Sequence, residues 1–111
     1  MIALDEKMFK RLLLAGEGDD NIDELIKLGY FKRLEGRMCR SNKYLEETGS
    51  FIESKKETLY DVVKQLGSAE DLEKTMELAG IQDFITFVFI AEELVQDGKF
   101  VKDKVKNCLI K

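Results

Sequence analysis

The eight residues Phe84 to Ala91 carry no charge, in a chain where 36% of residues are charged, and this stretch most limits what the chain can fold into. Read as a helix, Ile81 to Val95 (IQDFITFVFIAEELV) places Phe84, Phe87, Val88, Ala91 and Leu94 on one side. Ile81, Ile85 and Phe89 cover much of the other side, so the helix is expected to be buried nearly all round. A bilayer span needs about 20 apolar residues, so the cover must come from other helices of the chain or from a second copy.

The 111 residues suit a single domain, 1–111, folding as one cooperative unit. An apolar fraction of 44% is that of a globular chain rather than a disordered one. Proline is absent and glycine falls between periodic segments, which fits helices joined by short connections. With no histidine, and with Cys39 and Cys108 far apart, a zinc site is not expected, and both cysteines read as small apolar fillers. The N-terminal MIALDEKMFKRLLLAG mixes charges into its apolar run, unlike a signal peptide, so a cytoplasmic setting is the expectation.

In chain order, Asp5 to Ala15 reads as a helix with Met8, Phe9, Leu12 and Leu13 as its stripe and Gly16 as its stop. Asn21 and Glu24 suggest a capping box opening a second helix through Ile22, Leu25, Ile26 and Leu28, closed by Gly29. Tyr30 to Arg40 reads as a β-hairpin turning at Glu35-Gly36, where glycine supplies a positive backbone angle. A helix is expected from Ser41, breaking at Gly49 and restarting at Ser50 with Phe51, Ile52, Leu59, Val62, Val63 and Leu66 on its apolar face. Gly67 ends it, and Ser68 with Asp71 forms a capping pair for a helix that Gly80 closes. After Asp97-Gly98, a surface helix is expected with Val101, Val105, Cys108 and Leu109 on one face and Lys99, Lys102 and Lys106 on another. The segments differ in length and pattern, so no internal repeat is expected. The fold class is therefore mainly α: a compact helical domain of five to six helices with one short β-hairpin at about residues 30–40.

The run LIKLGYFKRLEGRMCRSNKYLEETGSFIE, Leu25 to Glu53, resembles the second half of a winged helix-turn-helix domain. Leu28-Gly29-Tyr30 stands where that family ends a helix, the hairpin around Glu35-Gly36 stands as the wing, and Leu45 to Gly49 opens the next helix. The resemblance implies a winged-helix-like N-terminal half, with Asn21 to Leu28 as recognition helix and Arg33, Arg37 and Arg40 on or beside the wing, able to meet phosphates. The family normally has two helices before the recognition helix, and here there is room for one.

Charge is unevenly placed. Lys27 to Tyr44 holds Lys27, Lys32, Arg33, Arg37, Arg40 and Lys43 against Glu35 alone. The helix before it and its entry hold Asp19, Asp20, Asp23 and Glu24, carboxylates that phosphates repel. Without histidine the usual general base is missing, and no glycine-rich phosphate loop, calcium loop or converging carboxylate pair is present, so no enzyme, cofactor or metal is expected. The first expectation is a non-catalytic regulator or adaptor that binds a protein partner. Asp19, Asp20, Asp23 and Glu24 would form an acidic patch, Lys32, Arg33, Arg37, Arg40 and Lys43 a basic one, and an exposed Tyr30 or Tyr44 the anchor. The alternative is a winged-helix regulator of duplex DNA with C-terminal dimerisation helices, hence a possible homodimer. No membrane partner is expected.

Overall fold

The computed structural model describes residues 4–16 and 22–111. These form α1 (Glu6–Leu14), α2 (Ile22–Lys27), β1 (Phe31–Leu34), β2 (Arg37–Arg40), α3 (Asn42–Leu66), α4 (Leu72–Ala79), α5 (Phe84–Gln96), β3 (Phe100–Asp103) and β4 (Asn107–Ile110). The fold is mainly helical, with two small antiparallel hairpins, β1-β2 and β3-β4. The chain divides inside α3 into two compact units, Met1–Phe51 and Ile52–Lys111.

In the first unit, Asp5 caps α1 by accepting from the Met8 amide at 2.7 Å, leaving the apolar side chains at i and i+3 to bury as Phe9 and Leu12. Leu12, Ile22, Leu25, Tyr30, Phe31 and Tyr44 make the core, and Phe9 stacks on Phe51 with ring centroids 4.4 Å apart. Gly29 closes α2 at a φ of 89°, its amide bonding to the Ile26 carbonyl while the Tyr30 amide bonds to Leu25, the paired bonds of a Schellman ending. Ser41 then opens α3, its hydroxyl accepting from the Tyr44 amide at 3.2 Å.

The second unit packs Leu59, Val63, Ala69, Ala79, Ile81, Phe87, Ile90, Leu94, Phe100 and Cys108 into its own core. Its element order is helix, helix, helix, hairpin. Asp83 caps α5, accepting from the Thr86 amide and hydroxyl at 2.9 and 3.1 Å. Lys56 on α3 is held by Asp97 at the end of α5 and by Glu53, and Asp97 is the main reason its amine titrates above the ordinary lysine range.

Four expectations are corrected. Gly49 does not break the helix: α3 runs 25 residues without interruption, because Tyr44, Thr48 and Phe51 bury on one face across it and outweigh the roughly 1 kcal/mol a helical glycine costs. Ser68 does not cap α4; Asp71 does, accepting from the Lys74 amide at 3.1 Å, while Ser68 bonds only to the Glu70 amide. Helix α5, which holds the uncharged stretch, is not buried all round: Phe84, Ile85 and Val88 are 55%, 43% and 40% exposed, and the core takes Thr86, Phe87, Ile90, Ala91 and Leu94.

The fourth correction concerns Lys99 to Lys111, a hairpin and not a surface helix. A helix would have left Phe100 among the lysines, whereas at the start of β3 it is buried at 2% exposure in the core of the unit. The turn is built locally, with the Asp103 carboxylate accepting from the Val105 and Lys106 amides at 2.9 and 2.8 Å and Asn107 taking a φ of 63°.

That second hairpin follows its helix as the first hairpin follows α2. Ile22–Arg33 and Ala91–Lys102 align without a gap, with Glu24/Glu93, Leu25/Leu94, Gly29/Gly98 and Phe31/Phe100 identical. Gly98 ends α5 as Gly29 ends α2, with the Lys99 amide bonding to Leu94 at 2.9 Å. The next residue but one is a buried phenylalanine in both. The carbonyls of Tyr30 and Lys99 each accept, at 3.0 Å, from the residue just after their hairpin, Ser41 and Lys111.

Candidate functional site

The first hairpin fixes which of its cations face outward. Phe31 pairs with Arg40, Lys32 with Cys39, Arg33 with Met38 and Leu34 with Arg37. Residues opposite one another share a face, so Phe31, Arg33, Met38 and Arg40 form one side and Lys32, Leu34, Arg37 and Cys39 the other. Phe31 and Met38 pack on the unit's core, which makes theirs the inner face. The two-residue turn has Glu35 and Gly36 at φ of 53° and 78°, the mirror-image turn whose twist suits a tight hairpin.

The inner cations are occupied. Arg33 lies 4.0 Å from Asp23, and the Arg40 guanidinium sits 5.0 Å from the Tyr44 ring centroid. Lys43 donates to the Leu28 carbonyl at 2.7 Å and lies over the Tyr30 ring. Lys32 and Arg37 on the outer face have no ion-pair partner among the described residues, and both are exposed.

The expected acidic patch is placed only in part. Asp19 and Asp20, like the cap expected of Asn21, lie outside the described residues. Asp23 and Glu24 are exposed on α2, but each faces a cation of the same unit, Asp23 meeting Arg33 and Glu24 meeting Arg11 at 3.1 Å. The expected recognition helix is thus six described residues long, with Ile22 and Leu25 turned into the core.

Tyr30 and Tyr44 are not exposed anchors: each is only 7% accessible. Both close the core under the hairpin, where the Tyr44 ring meets Phe31 at a tilt of 52°, with centroids 5.3 Å apart. The Tyr30 hydroxyl donates to Glu47 at 2.9 Å. Burial, that bond and the negative charges of Glu47 and Asp5 push its titration up to about 12.

Comparisons with protein-family models, with curated proteins and with solved structures returned no match.

Among the described residues, no group of three or more His, Cys, Asp or Glu is placed to hold a metal, and no buried side-chain nitrogen or oxygen lacks a partner. None of their helices is long and apolar enough to cross a membrane. Cys39 is half-exposed, and Cys108 is buried, which pushes its thiol up and away from the reactive thiolate.

The sequence reading missed the cations of the second hairpin as a counterpart of the first. The signal was present in the aligned Leu-x-x-x-Gly-x-Phe of Leu25 to Phe31 and Leu94 to Phe100.

Proposed function

We propose that this protein is a non-catalytic, winged-helix-like regulator whose first hairpin binds the phosphate backbone of duplex nucleic acid. The observation that carries the reading is the outer face of β1-β2. Lys32 on β1 and Arg37 on β2 project there without a carboxylate partner among the described residues, while Arg33, Arg40 and Lys43 each meet a carboxylate or a ring of the same unit. Phosphates reward such side chains through counterion release, whatever the base sequence. The carboxylates Asp23 and Glu24 oppose phosphate less than their sequence suggests, since Arg33 and Arg11 lie against them. The test is salt-dependent binding of a mixed-sequence duplex, with loss of affinity on Lys32→Gln, Arg37→Gln.

The reading as a protein-binding adaptor is weakened by the burial of Tyr30 and Tyr44, which removes its anchor. One observation favours it: the exposed apolar stripe Phe84, Ile85 and Val88 on α5 borders an open groove of about 290 Å³ floored by Leu72, Phe87, Ala91 and Cys108. A protein ligand held by the wild type and released by Val88→Glu, with no binding of duplex, would decide for the adaptor.

A further inference from the structure

We infer that the second hairpin, β3-β4, is a second phosphate-contacting element, through Lys104 and Lys106 at its turn; this rests on the nucleic-acid reading of the first hairpin and extends it to a site outside the winged-helix resemblance.

The first support is the segregation of charge. Tyr30–Lys43 carries Lys32, Arg33, Arg37, Arg40 and Lys43 against Glu35, and Lys99–Lys111 carries Lys99, Lys102, Lys104, Lys106 and Lys111 against Asp103. The two segments thus hold ten of the 18 cations and two of the 22 carboxylates of a chain whose formal charge is -4, and seven of the ten lie in the hairpins themselves. Charge scattered for solubility has no reason to collect on the same element twice.

The second support is the likeness of the two helix-to-hairpin junctions, which sorts the cations by role. At each junction the cation two residues after the buried phenylalanine turns back to a carboxylate on the preceding helix: Arg33 to Asp23, and Lys102 to Glu92. Lys99 lies 5.6 Å from the Tyr60 ring centroid, occupied as Lys43 is over Tyr30. That leaves Lys111 after the second strand and, at the turn, Lys104 and Lys106. Both are exposed at the turn, and neither has an ion-pair partner within 4.0 Å among the described residues.

The turn is also stiff. Its one carboxylate, Asp103, is held by the amides of Lys106 and Val105, and these two bonds, with the nearby Lys106 charge, keep its titration below the usual aspartate value. On the far strand, the Asn107 amide donates to the Ala69 carbonyl at 2.9 Å and the Ala69 amide donates to Cys108 at 3.1 Å. The lysines therefore stand on a pre-set turn, and binding phosphate orders little besides their own side chains.

The experiment is fluorescence anisotropy of a labelled mixed-sequence duplex at about 50 and about 200 mM salt, with wild type, Lys104→Gln, Lys106→Gln and a charge-matched control, Lys64→Gln, Lys74→Gln. Lys64 and Lys74 are exposed helix residues outside the hairpins. The expected result is that the turn variant lowers the slope of log affinity against log salt by roughly 2 and weakens binding about tenfold or more at low salt, while the control keeps wild-type behaviour. Circular dichroism and melting temperature should stay unchanged in both.

Wild-type binding that the turn variant retains in full would overturn the inference and leave the first hairpin's role standing. An equal loss in the control would overturn it too, by assigning the effect to net charge. Absence of wild-type binding at low salt would remove the nucleic-acid reading and this inference together. Binding of a polyglutamate peptide in place of duplex would do the same and assign both hairpins to an acidic protein.

Discussion

Asp23 on α2 and Arg33 on β1 face each other at 4.0 Å, and the same pairing recurs in the second unit as Glu92 on α5 and Lys102 on β3, at aligned positions. In both, the carboxylate lies two residues before a leucine of about 1% exposure and the cation two residues after a buried phenylalanine. The pair marks how a hairpin folds back on its own helix, but both partners reach water. A double-mutant cycle on Glu92→Gln and Lys102→Met, read by urea unfolding, should give a coupling of about 0.2–1 kcal/mol that salt reduces. Coupling above about 2 kcal/mol would show that the pair, rather than the core beneath it, fastens the hairpin.

The apolar contacts beneath are expected to matter far more. Phe100 is 2% exposed and stacks near Tyr60 at 6.1 Å between centroids. Phe100→Ala should destabilise the second unit by about 3–5 kcal/mol, the usual range for emptying a buried phenylalanine site. Unfolding followed by denaturant will show it as a lower midpoint, and a loss under about 1 kcal/mol would contradict the packing described.

Two glycines should respond with opposite signs to alanine. Gly49 lies within α3 and an added Cβ there meets nothing within 4 Å, so Gly49→Ala should stabilise by about 0.5–1 kcal/mol. Gly98 has equal room but a φ of 77°, where an L side chain is strained, so Gly98→Ala should destabilise by about 1–2 kcal/mol. Thermal melts of the two variants beside wild type check both signs.

The Tyr30 phenol gives a pH dependence. Its value is raised from 10.0 to about 12 in the folded protein, so between these values the unfolded chain gives up the proton first and the folded state loses stability as pH rises. The contribution is fully present below pH 10 and gone above about 12. Phenolate absorbance should keep rising to near pH 12 in wild type, and Tyr30→Phe should remove that late component and flatten the loss of stability across the window.

The first hairpin was legible in the sequence because Glu35-Gly36 marks a two-residue turn and Gly29 a helix ending, both local signals. The second was not, because Val101, Val105 and Cys108 recur at helical spacing while its turn depends on the Asp103 carboxylate and on Asn107 accepting a positive φ. Gly49 misled for a different reason: propensity is local, and burial of Thr48 and Phe51 on either side of it decides the matter. The basic residues were readable as a set, but their division into engaged and outward-facing cations needed the strand register, and the burial of Tyr30 and Tyr44 needed the hairpin's place on the core.

The measurement that bears most directly on the proposed function is duplex binding by wild type and by Lys32→Gln, Arg37→Gln, followed by anisotropy across salt. Both side chains are exposed on the outer hairpin face, so the variant should fold as wild type does. The expected result is wild-type binding that weakens steeply with salt, and a variant with a slope smaller by roughly 2 and an affinity lower by about tenfold or more at low salt. Wild-type protein that leaves the duplex unbound at low salt, or a variant that binds it as tightly as wild type, would contradict the proposal.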